Sequence, residues 1–433
     1  MHYRTLPFLI VLLASVLPWA AAAFNSKMLT YIPDALAVLA YVWLVARHPL
    51  KEGGLHFYFA MLFLFVGFHM FFGVASGRGI GSAGLVSLLV LTFIFGKMLE
   101  QESSPQLARV IARQIGIVYI VHVVFILAEL LFRLAGYTDV LVAIAGHVPG
   151  QILEFKQYKT YNSATFLNYL GFQDITGMNS LLLGSQSASQ LALLAAFYFA
   201  PWYKGRRAMR DGFAHWSWFL FVVALFPFVA SMTAMVMLLL LLLFLIYVLP
   251  NSKLNKPAIW FAVPLLLVSM SDVLVQLFAF RITNEKDVDI YMSAFMAAPR
   301  AYMELPLLDQ IMGFGSNLGE SDVAAADFGL GMLLYQSGFL LMGVVLAVFA
   351  LMIHAVCRAI RHYRTGGFAR DPWPAIAGIN IVCAIGWAIS LIHYTSAIEL
   401  GGRHIFAMHL AACLVALKRM RAAAVPVAPA TER

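Results

Sequence analysis

Charge is scarce in this 433-residue sequence: Asp, Glu, Lys and Arg together make up 12% of it, against 62% hydrophobic residues. With a mean hydropathy of +0.84, there is too little polar surface to clothe a soluble domain. Cysteine is nearly absent. Cys357, Cys383 and Cys413 fall in or beside apolar runs without metal-type spacing, so they read as packing residues and exclude a disulfide framework. There is no Gly-rich phosphate loop and no His/Cys cluster with ligand spacing, so no bound cofactor or metal is expected. No internal repeat is visible, which removes the inverted-repeat signature common in secondary transporters.

What is present is a series of long apolar runs. They do not alternate, so helices rather than barrel strands must satisfy the backbone in lipid. The fold class expected is all-α, a polytopic integral membrane domain over 1–433 with about twelve transmembrane helices of about 20 residues each. The spans fall near 7–24, 31–46, 55–76, 82–99, 115–137, 178–203, 215–230, 231–249, 258–279, 327–352, 374–394 and 404–418. Two points stay open. Arg4, the apolar stretch after it and Ala20 to Ala23 also fit a cleavable signal peptide. The stretch around Pro227 to Ser231 fits either a tight turn between two spans or one broken helix.

The net charge of +8 comes from Lys and Arg clustered between spans, which marks the positive-inside pattern rather than a nucleic-acid surface. With both termini cytoplasmic, about 20 of the 29 Lys and Arg residues fall inside, among them Arg47, Lys97, Arg109, Arg113 and Lys418. This orientation leaves two sizeable extracytoplasmic segments, 138–177 and 280–326, and the second is the most polar stretch of the chain.

The second segment carries Arg281 and the run from Arg300 through Glu304 and Asp309 to Gly313-Phe314-Gly315. Arg300 and Glu304 are one helical turn apart. The pair suits either a solvated helix on the membrane surface or an anion site with a carboxylate base, because guanidinium binds phosphate in a bidentate fork. Asp327 stands at the mouth of the next span, where it serves equally well as a helix cap. A second polar group, His393-Tyr394-Thr-Ser396 to Arg403-His404, lies between the last two spans. Ionisable groups at membrane depth usually face a cavity, although snorkelling to the interface is the alternative. Asp34, His122 and Glu129 sit inside apolar runs, and Glu129 and Arg133 are spaced to neutralise one another on one helix face.

The order of these features resembles the bacterial O-antigen polymerase and ligase superfamily. The resemblance rests on Arg300 followed by Gly313-Phe314-Gly315, then Asp327 opening a helix with Gly338 further along it. Gly177-Met-Asn179-Ser180 to Gln190, and Ser231-Met-Thr233 before a Leu-rich span, extend the likeness over the C-terminal two-thirds. Two departures matter. Ligases of this group commonly begin the late helix with His-Asn, where Asp327-Phe328 stands here, and their Ser-Arg is Ser231-Met232. The absence of the His favours the polymerase, in which that position is more variable.

The resemblance implies an enzyme that is a metal-independent glycosyltransferase at the periplasmic face of the bacterial inner membrane. It would join repeat units carried on undecaprenyl diphosphate into O-antigen, capsule or exopolysaccharide. Glu304, Asp309, Asp327 and His393 are the catalytic candidates. Arg281, Arg300, Arg403, His404 and Tyr394 would bind diphosphate or glycan. A chain-length regulator protein and membrane lipids are the implied partners. A ligase that transfers glycan to lipid A-core differs mainly in its acceptor. A flippase belongs to another class, and would place its polar groups at the midplane of discontinuous helices.

Overall fold

The computed structural model describes residues 5–24, 26–47, 64, 67–69, 71–77, 83–101, 106–137, 185–199, 216–229, 234, 237, 240–241, 285–314, 328–365, 372–391 and 401–424. Every described element is helical: α1 (Leu6–Ala23), a short 3-10 turn (Lys27–Tyr31), α2 (Ile32–Arg47), α3 (Ala83–Glu100), α4 (Leu107–Leu134) and α5 (Ser185–Phe199). They are followed by α6 (Trp216–Val229), α7 (Glu285–Glu304), α8 (Leu307–Met312), α9 (Gly329–Thr365), α10 (Trp373–Ser390) and α11 (Gly402–Ala424).

Among the described residues, 4 helices are long and apolar enough to cross a bilayer: Met28–Arg47, Leu107–Phe132, Gly329–Ala359 and Trp373–Ser390. The chain is therefore an α-helical, membrane-embedded protein. The expected segments 138–177 and 258–279, and most of 55–76 and 231–249, lie outside the described residues. Two described helices run well past the expected spans, and α11 extends to Ala424. Helix α4 begins at Leu107, which takes Arg109 and Arg113 into its first turns, and α9 continues to Thr365.

Helix α11 is the axis of the bundle, packing against α1, α3, α9 and α10. Its small residues Ala407, Ala411, Ala412 and Ala416 are all fully buried and allow neighbouring backbones to approach closely. Helix α10 opens on Pro372 and Pro374, where a missing N–H removes no intrahelical bond. A Cβ on Gly386 of α10 would press on the tip of the Leu194 side chain of α5, which would have to shift.

Contacts fix the relative directions of three helices. Ser87 of α3 and Arg403 of α11 both reach Asp34 of α2. Toward their other ends, Lys418 of α11 lies 3.2 Å from Glu100 of α3, and Lys97 of α3 lies 2.9 Å from the same carboxylate. Further along, the Tyr41 ring of α2 packs against Phe93 of α3, so α2, α3 and α11 run parallel, with their N-termini gathered at one end of the bundle.

Candidate functional site

Two groups of polar residues answer to the residues singled out in the sequence. One is a cap built by α7, α8 and the start of α9. The other is a charged cluster where α2, α3 and α11 begin.

The cap is held by a corner that only glycine permits. Helix α9 breaks at Gly338, whose backbone sits at φ 69 and ψ 169, and Gly313 at the end of α8 is also left-handed at φ 84. The two backbones touch. A Cβ on Gly313 would lie 2.6 Å from the Gly338 nitrogen, and one on Gly338 would lie 2.6 Å from the Met312 carbonyl carbon. Alongside, the Phe314 amide donates to the Tyr335 carbonyl at 2.9 Å. At the break, the Ser337 carbonyl accepts a hydrogen bond from His69 Nε2 at 2.9 Å. Gly313 and Gly338, two glycines on which the family resemblance rests, therefore form a mechanical joint.

The α7–α8 corner is stitched by side chains. The Tyr302 hydroxyl donates to the Gln310 carbonyl at 2.9 Å, and Gln310 Nε2 donates to the Leu305 carbonyl at 2.9 Å. Burial pushes the Tyr302 phenol above its ordinary range, partly offset by a hydrogen bond with the Phe339 backbone. Tyr302, Tyr335 and Ala298 form a small apolar nucleus of their own. Pro306 opens α8, and here the polarity runs against expectation for a surface helix. Asp309 is buried at 7% exposure, whereas Leu307 is 73% exposed, and Leu308, Ile311 and neighbouring Met303 are exposed as well. Helix α8 is inside-out for water and right for lipid.

Arg300 and Glu304 are both exposed on the last turns of α7. They close no ion pair with one another, so both charges stay open to a ligand. Asp309 is turned inward, which leaves Glu304 as the open carboxylate of this described corner. Arg281, Asp327, His393 and Tyr394 lie outside the described residues.

The second group is assembled across the fold. Arg403 Nη2 donates to Asp34 Oδ2, and Ser87 Oγ donates to Asp34 Oδ1 at 3.3 Å. His404 Nε2 lies 3.2 Å from Asp34 Oδ1, and the His404 side chain is fully buried. Among the described residues, neither His404 ring nitrogen nor Arg403 Nε makes a directed hydrogen bond. Arg403 and His404 were expected to act together. Asp34 had been noticed only as an acid within an apolar run, and Ser87 carried no signal at all.

Deeper in the bundle, several buried polar groups pair with one another, although His122 Nδ1 and Trp387 Nε1 are buried without a hydrogen-bond partner among the described residues. His409 Nδ1 donates to Asn380 Oδ1 at 2.7 Å, Asn380 Nδ2 donates to the Ile376 carbonyl at 2.9 Å, and the Tyr119 hydroxyl donates to His409 Nε2 at 2.7 Å. His122 Nε2 donates to Ser15 Oγ at 3.0 Å, and that hydroxyl donates in turn to the Val11 carbonyl at 2.9 Å. Glu129 is buried on the same helix as His122, with the side chain of Arg133 outside the described residues. The His409 network was missed in the sequence, although a His and an Asn inside apolar runs are the sign by which it could have been found. Among the described residues no group of three His, Cys, Asp or Glu side chains gathers to hold a metal.

No protein family, no curated protein and no solved structure matches this chain.

Proposed function

We propose that the chain is a glycan polymerase that joins repeat units carried on undecaprenyl diphosphate, working at the periplasmic face of the bacterial inner membrane. In this reading the termini are cytoplasmic and the N-terminal ends of α2, α3 and α11 face the periplasm. The observation that carries it is the corner from Arg300 to Ile311. Over these residues a guanidinium and a carboxylate stand open beside Met303, Leu307, Leu308 and Ile311, which are exposed and apolar. A lipid-linked donor has that division, a charged diphosphate at the headgroup level and a prenyl chain in the hydrocarbon.

The chemistry needs little else. The acceptor hydroxyl attacks the anomeric carbon of the donor as the bond from that carbon to the diphosphate oxygen breaks. A carboxylate takes the hydroxyl proton, and cations stabilise the departing diphosphate. Glu304 is the open base at the corner and Arg300 the open cation, with Arg281, Asp327, His393 and Tyr394 from neighbouring segments as further members. A chain-length regulator protein is the expected partner. The ligase that moves finished glycan to lipid A-core would use the same donor side with another acceptor.

A flippase is the second reading, favoured by the polar groups that the bundle buries at His122, Glu129, Asn380 and His409. The two readings separate in one experiment. Purified full-length protein in vesicles receives lipid-linked repeat units with no energy source, and glycan length is read on a gel. The polymerase reading expects longer chains, lost in Arg300→Ala at normal protein level. Units that stay single with wild-type protein would sink it.

A further inference from the structure

We propose that the Tyr302 hydroxyl is the positioning group of the Arg300 corner: it ties the end of α7, where Glu304 stands, to the break in α9, and so holds that carboxylate in place as the base. The reaction rests on the polymerase reading, and the position rests on the geometry of α7, α8 and α9.

Two bonds meet on one oxygen. The hydroxyl donates to the Gln310 carbonyl at 2.9 Å and accepts the Phe339 amide. Phe339 follows Gly338, where α9 leaves helical geometry, so its amide opens the second half of that helix, an end whose first donors take partners from outside. The Gln310 side chain closes the loop. Its Nε2 donates to the Leu305 carbonyl at 2.9 Å and to the Met303 carbonyl at 3.3 Å, so carbonyls at the end of α7 are answered from α8. One phenol oxygen thus joins three helices.

The two charges of the corner depend on it unequally. Tyr302 lies between Arg300 and Glu304 in the sequence, and at about 3.6 residues per turn both face away from it: the phenol is buried and both charges are exposed. Arg300 has an anchor of its own. The neighbouring Pro299 sits against Gly331 of α9, where a Cβ on the glycine would come within 2.9 Å of the proline ring. Glu304 is the last residue of α7, where the backbone ladder ends and the bonds of Tyr302 and Gln310 take over. The ring and the hydroxyl also separate. The ring packs with Ala298 and Tyr335, a contact that Phe keeps, whereas the oxygen carries both bonds. Loss of the oxygen alone therefore frees Glu304 and leaves Arg300 in place. A base displaced by about 1 Å loses turnover by up to about a hundredfold, while the donor diphosphate still meets its guanidinium.

The test uses purified full-length protein in vesicles with lipid-linked repeat units, reading initial rates of chain growth against donor concentration. Tyr302→Phe should lower kcat at least about tenfold and move KM by less than about twofold, with the melting temperature of the bundle unchanged. Phe339→Pro removes the same bond from the amide side, at a helix start where proline fits, and should give the same split. In the Glu304→Gln background, Tyr302→Phe should lower the residual rate no further, because the two changes remove one contribution. Losses that multiply would overturn the proposal, as would an unchanged kcat or a rise in KM that matches the fall in kcat. A second readout needs no glycan. A nitroxide on Glu304→Cys, selective because Cys357, Cys383 and Cys413 are buried, should gain mobility on Tyr302→Phe, while one on Arg300→Cys should not. If wild-type protein elongates nothing and the label at 304 still loosens, the positioning role stands and the polymerase reading falls. A label at 304 that does not respond overturns the proposal whatever the activity.

Discussion

The bundle around α11 and the cap around α8 solve opposite problems. In the bundle, several buried polar side chains answer one another: His409, Asn380 and Tyr119 complete a chain of hydrogen bonds with a fixed tautomer, and His122 leans on Ser15 through one ring nitrogen. In the cap a carboxylate is buried while leucines face outward. The first arrangement gives rigidity, since an unsatisfied polar group in hydrocarbon has no water to turn to. The second suits a face that meets an apolar surface rather than water. The bundle is thus a scaffold, whereas the cap turns an apolar face outward at Met303, Leu307, Leu308 and Ile311.

This contrast can be broken at its joint. Gly338→Val or Gly313→Val places a side chain on left-handed backbone already in contact with a neighbour. The expected loss is on the order of 3–5 kcal/mol of cap stability, detected as early proteolysis near 305–314 with the melting of the bundle little changed. Equal sensitivity of bundle and cap would show that the two are one cooperative unit.

Within the bundle, Asn380→Leu leaves the His409 ring without its acceptor and should cost about 1–3 kcal/mol, read as a fall in melting temperature. Adding His409→Leu should return part of the loss, because two apolar neighbours need nothing from each other. If the double variant is instead worse than the sum of the two, the network does more than satisfy itself.

At the cap surface, Leu308→Glu should alter stability in detergent by no more than about 0.5 kcal/mol. In vesicles the same change should draw α8 out of the lipid and cut glycan elongation severalfold. A bimane at position 307 reports it directly, quenched by lipid-borne quenchers in the parent and not in the variant. The smallest effect belongs to Lys418→Ala, whose ion pair with Glu100 is exposed on the lysine side. It should shift stability by less than about 0.5 kcal/mol and vanish in high salt. A larger shift would mean that the end opposite Asp34 is as tightly organised as the end that carries the Asp34–Arg403 pair.

How much of this was legible beforehand depends on range. The helices α1, α2, α3, α10 and α11 begin and end within a few residues of the expected spans, since twenty apolar residues in a row leave the backbone no other choice in lipid. The start of α4 was misplaced because Arg109 and Arg113 resemble loop residues, yet a helix continues into the interface and lets such chains snorkel. Arg300 to Glu304 was read as one helical turn, and it lies on α7. The burial of Asp309 was not foreseen, because helical spacing alone does not say which solvent a short helix will face.

Sequence alone determined the solvent and the local geometry of this protein: low charge and long apolar runs require helices in a membrane. Tertiary structure decided the partners. Asp34 and Arg403 are 369 residues apart, His69 and Ser337 are 268 apart, and no periodicity links either pair. Helical pattern is a property of neighbouring residues. Which helix faces which is decided only when side chains compete for the same buried space.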